Sequence, residues 1–323
     1  MFDLESLRDA TRHVHGLMSP TPQYAWPCLS GRLHCEVWVK HENHAPTGAF
    51  KVRGGMLYVR ALQERFPQVS GLVTATRGNH GQSLALAARR AGLEAIIVVP
   101  RGNSTEKNAA MRALGGEVIE YGADFDQARR EAERLAGEHG FVLVPAFHPE
   151  LIRGVATYAL EFFEAVKALH SVYVPIGMGS GICGLIQTRD LLGLDTKIIG
   201  VVSDRADAFA QSFARGRIVT TETADTFADG IACRMPDAEA FAIVQRGASR
   251  VVRVSDDDIA QAIRILHEDT HNTAEGAGAA ALAALVKERE AQRDRRVGVI
   301  LTGANIDRQR YGELLAAPQP TRG

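Results

Sequence analysis

Short apolar runs rich in Val and Ile alternate with segments of helical period along most of the chain. EVWVKHE, residues 36–42, predicts a strand, and GGMLYVRALQERF, residues 54–66, an amphipathic helix. GLVTAT then reads as a strand and GQSLALAARRAG as a helix closed by Gly92. EAIIVVP is a strand, and STEKNAAMRALGG a helix with Ser104 as its N-cap and Lys107 in its first turn. The alternation continues through GEVIEYG, DFDQARREAERLAGEHG, LIRGVATYALEFFEAV, SVYVPIG, GLIQTRDLLG, TKIIGVVS, DDDIAQAIRILHEDT, AEGAGAAALAALVKERE and RRVGVIL. Strand-helix alternation with β-branched, buried strands implies an α/β fold of mostly parallel sheets flanked by helices. No internal repeat or low-complexity linker breaks the pattern, and the tail AAPQPTRG is expected to fray.

Composition narrows what such a fold does. The 323 residues, 46% hydrophobic and 23% charged, suit about two domains with a large core. With 37 basic and 38 acidic residues the formal net charge is -1, which leaves no basic excess for nucleic acid. Apolar runs such as AIIVV and VGVIL are strand-sized, far short of the roughly 20 residues of a membrane span. The N-terminus MFDLESLRDATRH is acidic and amphipathic and lacks an apolar signal region, so the expected compartment is the cytoplasm. Four cysteines without a CxxC pair read as reduced, buried thiols. Eleven histidines without HExxH spacing or a Cys-His cluster give no reason to expect zinc.

PTGAFKVRGG, residues 46–55, holds the first candidate chemistry. Lys51 stands between Phe50 and Val52, with Gly48 before it and Gly54-Gly55 after it. An apolar setting penalises the ammonium form and makes a lysine a usable nucleophile or base. The flanking glycines are expected to let a flat, bulky ligand approach the backbone. The plainer alternative is a strand-end lysine whose amine reaches solvent.

Two loops bear on that choice. In TATRGNHGQSLALAARRAG, residues 74–92, a strand ends at Thr76, a polar turn follows, and a helix begins near Gly81. Amides at such a turn form an anion site, and Asn79 is placed to donate to a phenolate-like oxygen. An ordinary βα loop with a capping Asn and a supporting His80 is the alternative. In VPIGMGSGICG, residues 174–184, four glycines link an apolar strand to a helix, which suits a phosphate held by backbone N–H groups. The loop also contains GxGxxG, Gly179 to Gly184, with Asp204 about 20 residues on, so by itself it fits a nicotinamide cofactor equally well.

Together these stretches resemble the pyridoxal-phosphate enzymes of fold type II, the tryptophan-synthase β type, and most closely their serine/threonine dehydratase group. The resemblance runs from about residue 20 to about residue 310. It implies two domains, each a mostly parallel twisted sheet flanked by helices, with the cofactor in the interdomain cleft. Residues 53–150 are expected to form the small domain and residues 1–52 with 151–323 the large one. KHENHAPTGAFKVRGG resembles the family's lysine segment, which makes Lys51 the Schiff-base residue and puts Phe50 against the ring. TRGNHGQ resembles the substrate-carboxylate loop, implying substrate contacts from Thr76, Arg77, Gly78, Asn79 and His80, with Asn79 also on the ring's 3′ oxygen. GMGSG resembles the phosphate cradle, here Gly177, Met178, Gly179, Ser180 and Gly181. LTGAN resembles the segment whose hydroxyl, here that of Thr302, meets the pyridine nitrogen, and AEGAGAAALAAL a helix segment whose Glu275 lies near the cofactor.

The activity implied is a lyase reaction on a threonine- or serine-like 3-hydroxy amino acid, giving a 2-oxo acid and ammonia. Lys51, freed by the substrate, would remove the Cα proton while the ring takes up electrons. A neutral hydroxyl such as that of Thr302 does not hold the pyridine nitrogen protonated, which favours elimination over transamination. A homodimer is also implied.

Several positions depart from the family pattern. Arg77 stands where serine racemases place a second serine, which argues against racemisation and offers a cation to a second anionic or polar group on the substrate. Ala45, Ala49 and the GVAT around residue 154 replace residues that are more often polar. Ser203 stands where metal-binding relatives have a glutamate, and although Asp204 and TFADG remain, no metal site is expected. The chain ends soon after LTGAN, so a C-terminal regulatory domain is not expected. Other readings are the same chemistry on 3-hydroxyaspartate or phenylserine, a role in ectoine or hydroxyectoine breakdown, an amino acid racemase, and an inactive binding protein on the same fold.

Overall fold

The computed structural model describes residues 2–317; residues 318–323 of the tail AAPQPTRG lie outside the described residues. In chain order the strands are β1 (Gln23–Ala25), β2 (Glu36–His41), β3 (Gly71–Ala75), β4 (Glu94–Val99), β5 (Glu117–Glu120), β6 (Val142–Leu143), β7 (Ser171–Pro175), β8 (Lys197–Ser203), β9 (Ala248–Val254) and β10 (Arg296–Leu301). They build two sheets. One, ordered β5-β4-β3-β6, is parallel throughout. The other, ordered β1-β2-β10-β7-β8-β9, is parallel except where β1 runs against β2.

The chain divides into two compact units: the described residues of Met1–Ser19 with Ala45–Thr157, and of Pro20–His44 with Tyr158–Gly323. The division falls at other points than the 53–150 boundary read from the sequence. Packing explains why. Val14 and Met18, in and just after the helix Leu4–His15, share a core with Val52 and Met56 of the helix Lys51–Arg65. An Arg60–Asp9 ion pair at 3.0 Å joins the same two helices. Residues 23–41, by contrast, supply β1 and β2 to the six-stranded sheet.

In the first unit, neighbouring strand residues serve opposite faces, as the period of two requires. Leu72 packs with Leu84 and Ala88 of the helix Asn79–Ala91 and with Tyr58 and Leu62 of the lysine helix. Val73 packs with Ala128, Ala132 and Leu135 of the helix Phe125–His139. In the second unit Val37, Val39, Tyr173, Ile199, Val201, Val297 and Val299 lie in one core with the alanine-rich helix Gly276–Lys287. That helix is buried nearly all round, so its small residues are what allow close packing.

Three strands escape the sequence reading. β1 and β6 span only three and two residues, and β9, at the sheet edge, places Arg250 and Arg253 among its valines. Among the described residues no helix is long and apolar enough to cross a membrane.

Candidate active site

Lys51 opens its helix, three residues earlier than the apolar pattern predicts, because Gly54 and Gly55 are helical rather than terminal. Ahead of it a turn closes through Gly48, whose amide donates to the Ala45 carbonyl at 2.7 Å and whose φ is +67°. A side chain at that φ would be strained, so this glycine serves the turn.

The next two glycines serve packing. A Cβ on Gly54 would lie 2.8 Å from the Leu151 carbonyl oxygen, and one on Gly55 2.2 Å from the Ser83 hydroxyl. Gly154 answers across the same contact, where a Cβ would meet the Arg53 carbonyl at 2.4 Å. The pair after Lys51 therefore admits neighbouring helices, correcting the expectation that it clears space for a flat ligand. Ser83 also donates to the Lys51 carbonyl at 2.6 Å. The first turn of the helix Asn79–Ala91 thereby fixes the backbone under the lysine.

The Lys51 amine lies 5.1 Å from the Phe50 ring centroid, and Val52 is buried among Val14, Met18 and Met56. Burial of the amine lowers its pKa from an ordinary 10.5 to about 8. A helix N-terminus, itself partially positive, disfavours the ammonium in the same sense. His80 is buried beside it, and its pKa falls to about 3, chiefly through burial and secondarily through the Lys51 charge. One ring nitrogen bonds the Pro145 carbonyl, while the buried Nε2 has no hydrogen-bond partner among the described residues. His80 is thus a neutral imidazole with an unused acceptor next to the amine.

The loop from β3 to the helix Asn79–Ala91 holds the other candidates of this unit. Thr76 is buried, its amide donating to the Val98 carbonyl at 3.0 Å and its hydroxyl accepting from the Gly78 amide at 3.0 Å. Gly78 caps the helix without a side chain, and a Cβ there would lie 2.6 Å from Cδ of Lys107, a buried lysine. The sequence reading gave Lys107 a helix-turn role, which it has through its amide to the Ser104 hydroxyl at 3.1 Å, but missed its packing under this loop. Asn79 is the first residue of its helix. Arg77 is exposed.

In the second unit the loop between β7 and the helix Ser180–Leu191 contains Gly177, Met178 and Gly179. A Cβ on Gly177 would stand 2.3 Å from the Gly230 carbonyl oxygen, and Gly179 has φ +98° with Ala240 close by. Cys233 Sγ lies 3.7 Å from the Met178 sulfur, and the Tyr158 hydroxyl donates to the Gly181 carbonyl at 3.1 Å. The helix that starts at Ser180 has a glycine, Gly179, as its N-cap and so gets no cap bond from that residue's side chain. Its first amides therefore point out of the helix without intrahelical acceptors, a local concentration of N–H donors.

Glycine contacts bring the remaining segments together. The Glu275 amide donates to the Gly303 carbonyl at 3.1 Å, next to Thr302, and both Glu275 and Thr302 are buried. A Cβ on Gly278 would lie 2.3 Å from that same carbonyl oxygen. Gly276 presses on Ala228, and Gly230 on Ala277. TFADG, read from the sequence only as the remnant of a metal segment, thus braces both the 177–181 loop and the helix after Glu275. Among the described residues no group of three metal-ligating side chains occurs.

Comparison with known proteins places these motifs in a family context. The family model for pyridoxal-phosphate dependent enzymes matches residues 14–303. The L-threonine ammonia-lyase of Thermotoga maritima is 34% identical over 308 residues, covering 95% of this chain and 76% of that protein. The L-threo-3-hydroxyaspartate ammonia-lyase of Saccharomyces cerevisiae is 31% identical over 312 residues, covering 96% and 95%. Among solved structures, the processed form of threonine deaminase isoform 2 from Solanum lycopersicum superposes with a TM-score of 0.89 at 31% identity, covering 98% of this chain and 95% of that one.

Proposed function

The chain belongs to the pyridoxal-phosphate dependent enzyme family, and from that premise we propose that it is a lyase removing water from a 3-hydroxy amino acid to yield a 2-oxo acid and ammonia. The observation that carries the reading is the Lys51 amine, held at a pKa of about 8 beside a neutral His80. At neutral pH about a tenth of such an amine is uncharged, several hundred times the fraction of an ordinary lysine.

The residues suit pyridoxal phosphate on independent grounds. The first turn of the helix from Ser180, entered through Gly177, Met178 and the N-cap Gly179, would suit a phosphate. When the cofactor is bound, Thr302 would offer a neutral hydroxyl to the pyridine nitrogen and Asn79 an amide to the ring oxygen. Phe50 offers an apolar face, and Glu275 stands on the same braced segment as Thr302. When bound, the cofactor supplies a carbonyl for the substrate amino group and a ring that accepts the Cα electrons.

The chain's own part is to bind, orient and move a proton. Amides of the loop Thr76–His80 other than those of Thr76 and Gly78 would receive the substrate carboxylate, with Thr76 holding the turn through the Gly78 amide. Lys51 Nζ, uncharged, takes the Cα proton. The substrate loses that hydrogen and its C3 hydroxyl as water, and the resulting enamine adds water to give the 2-oxo acid and ammonia. His80 remains neutral throughout and adds no second positive charge beside the amine. Racemisation needs a second acid or base on the opposite face, and Arg77, a permanent cation, cannot serve as one. On the same reading the protein is a cytoplasmic homodimer acting on a free amino acid, and sedimentation of the holoenzyme checks the assembly.

The test is reduction with borohydride in the presence of pyridoxal phosphate, followed by peptide mapping and a 2-oxo acid assay. A pyridoxyl group fixed on Lys51, with keto acid released from a 3-hydroxy amino acid, is expected. Labelling at another lysine, or labelling without keto acid, overturns it.

A further inference from the structure

The turn Thr76–Gly78 is pinned on both sides of Arg77, yet the Arg77 side chain takes no part in pinning it. Thr76 is fixed to β4 by its amide, and its hydroxyl closes on the Gly78 amide. Gly78 rests on the Lys107 stem, and its carbonyl accepts from the Gln82 amide at 3.1 Å, the first bond of the helix. Arg77 is exposed, and among the described residues it has no hydrogen bond or ion pair. Several other arginines of this unit do have side-chain partners. Arg53 is buried on Thr157, Arg60 pairs with Asp9 and Glu64, and Arg90 bonds the Leu17 carbonyl. Removing Arg77 should therefore cost the fold little.

A guanidinium with free donors on a rigid turn is a recognition element. On the lyase reading, the loop amides not spent on the Val98 carbonyl and the Thr76 hydroxyl receive the one carboxylate of threonine, whose side chain ends in a methyl group, so the cation is surplus to such a substrate. We propose, resting on the lyase reading above, that Arg77 is a specificity-determining residue that selects 3-hydroxy amino acids whose side chain carries a further acceptor oxygen beyond C3, as a carboxylate or an amide carbonyl. The planar fork of donors matches both groups, and a carboxylate gains from charge as well.

The experiment compares kcat/KM of the holoenzyme for L-threonine, threo-3-hydroxyaspartate and threo-3-hydroxyasparagine in wild type, Arg77→Ala and Arg77→Lys. Wild type is expected to favour one or both acceptor-bearing substrates over threonine. Arg77→Ala should lose about tenfold or more on them, mostly in KM, with threonine altered less than about threefold. Lysine should restore part of the loss for the carboxylate and little for the amide, which separates the two sources of the acceptor. As a readout apart from turnover, calorimetry with succinate and butyrate should show a preference for the dicarboxylate that Arg77→Ala abolishes if the acceptor is a carboxylate. An unchanged substrate ranking in Arg77→Ala, or equal loss on all three, overturns the proposal while leaving the lyase reading intact. Absence of keto acid from every substrate in wild type sinks the lyase reading and this proposal with it.

Discussion

In the unit that carries Lys51 two candidate residues, Lys51 and His80, are side chains whose protonation is displaced by burial. Lys51 is pushed down to about 8 and His80 to about 3. In the unit that carries residues 177–181 the candidate chemistry lies in the backbone. There Gly177, Gly230, Gly276 and Gly278 bring peptide groups within a Cβ's width of one another, and a helix begins at a glycine N-cap, Gly179. On the proposed function the first arrangement handles a proton, because only a group with a displaced pKa can give and take one near neutrality. On the same proposal the second recognises a fixed anion, which needs donors that do not titrate. A substitution should therefore fail differently in the two units: loss of turnover with cofactor retained in one, loss of cofactor affinity in the other.

The largest effect is expected at Lys51. Lys51→Ala should lower turnover by at least about a thousandfold, since it removes both the attachment point and the base, while circular dichroism stays that of the wild type. In the wild type, kcat should rise up to tenfold per pH unit below about 8 and level off above it, because the base acts only when deprotonated. His80, neutral down to about pH 3, should add no limb between pH 5 and 9. A flat profile from pH 6 to 8 would contradict the assignment of the base.

The same group sets a stability prediction of opposite sign. The folded amine binds its proton less tightly than the unfolded one, about 8 against 10.5, so the unfolded chain holds the extra proton between those values. Burying Lys51 therefore costs stability below about pH 8, and the cost fades as pH climbs to 10.5. Lys51→Met keeps the stem and discards the cation. It should raise the Tm of the cofactor-free protein at pH 7 by on the order of 2 °C, with the gain shrinking toward pH 10. A gain independent of pH would mean that packing, not charge, is responsible.

Next in size is Gly177→Ala. Its Cβ would meet the Gly230 carbonyl at 2.3 Å, and neither backbone can yield without moving the loop or TFADG. A destabilisation of about 1–3 kcal/mol should accompany at least a tenfold weaker affinity for pyridoxal phosphate, followed by absorbance titration. Gly31→Ala is the control, because that helical glycine has nothing within 4 Å of its Cβ position. It should be neutral or slightly stabilising. Equal losses at the two positions would remove the claim that the cradle depends on close backbone contacts.

How much of this the sequence carried depended on whether the cause was local. The helix Asp256–Thr270 is legible to the residue, because its period and its capping box at Ser255 and Asp258 are both short-range. Ser104 and Gly92 cap as read, for the same reason. β9 was missed because an edge strand with outward arginines lacks the apolar run that marks a buried one. The motif residues were legible as residue types at spacings, but what Gly54, Gly55, Gly177 and Gly278 are for was not. Each answers to a carbonyl or hydroxyl far away in sequence, and no local pattern encodes that partner. Hence the lysine's apolar neighbours were read correctly while its glycines were credited to a ligand.

The smallest effect, expected at Ser83, tests whether the comparison between the units is too sharp. Ser83 donates to the Lys51 carbonyl at 2.6 Å, and its hydroxyl occupies the space that Gly55 leaves. The lysine side therefore also leans on a glycine contact, one that acts on the backbone under the base rather than on the base itself. Ser83→Ala removes the hydrogen bond without adding bulk and should cost about 1 kcal/mol of stability and less than about fivefold in kcat, with labelling of Lys51 and the pH limb near 8 unchanged. Ser83→Val adds volume where none is free and should be the worse of the two by about 1–3 kcal/mol. If Ser83→Ala instead moved the pH limb by a full unit, the hydroxyl would be tuning the amine. The proton-handling side would then extend one helix further than burial alone accounts for.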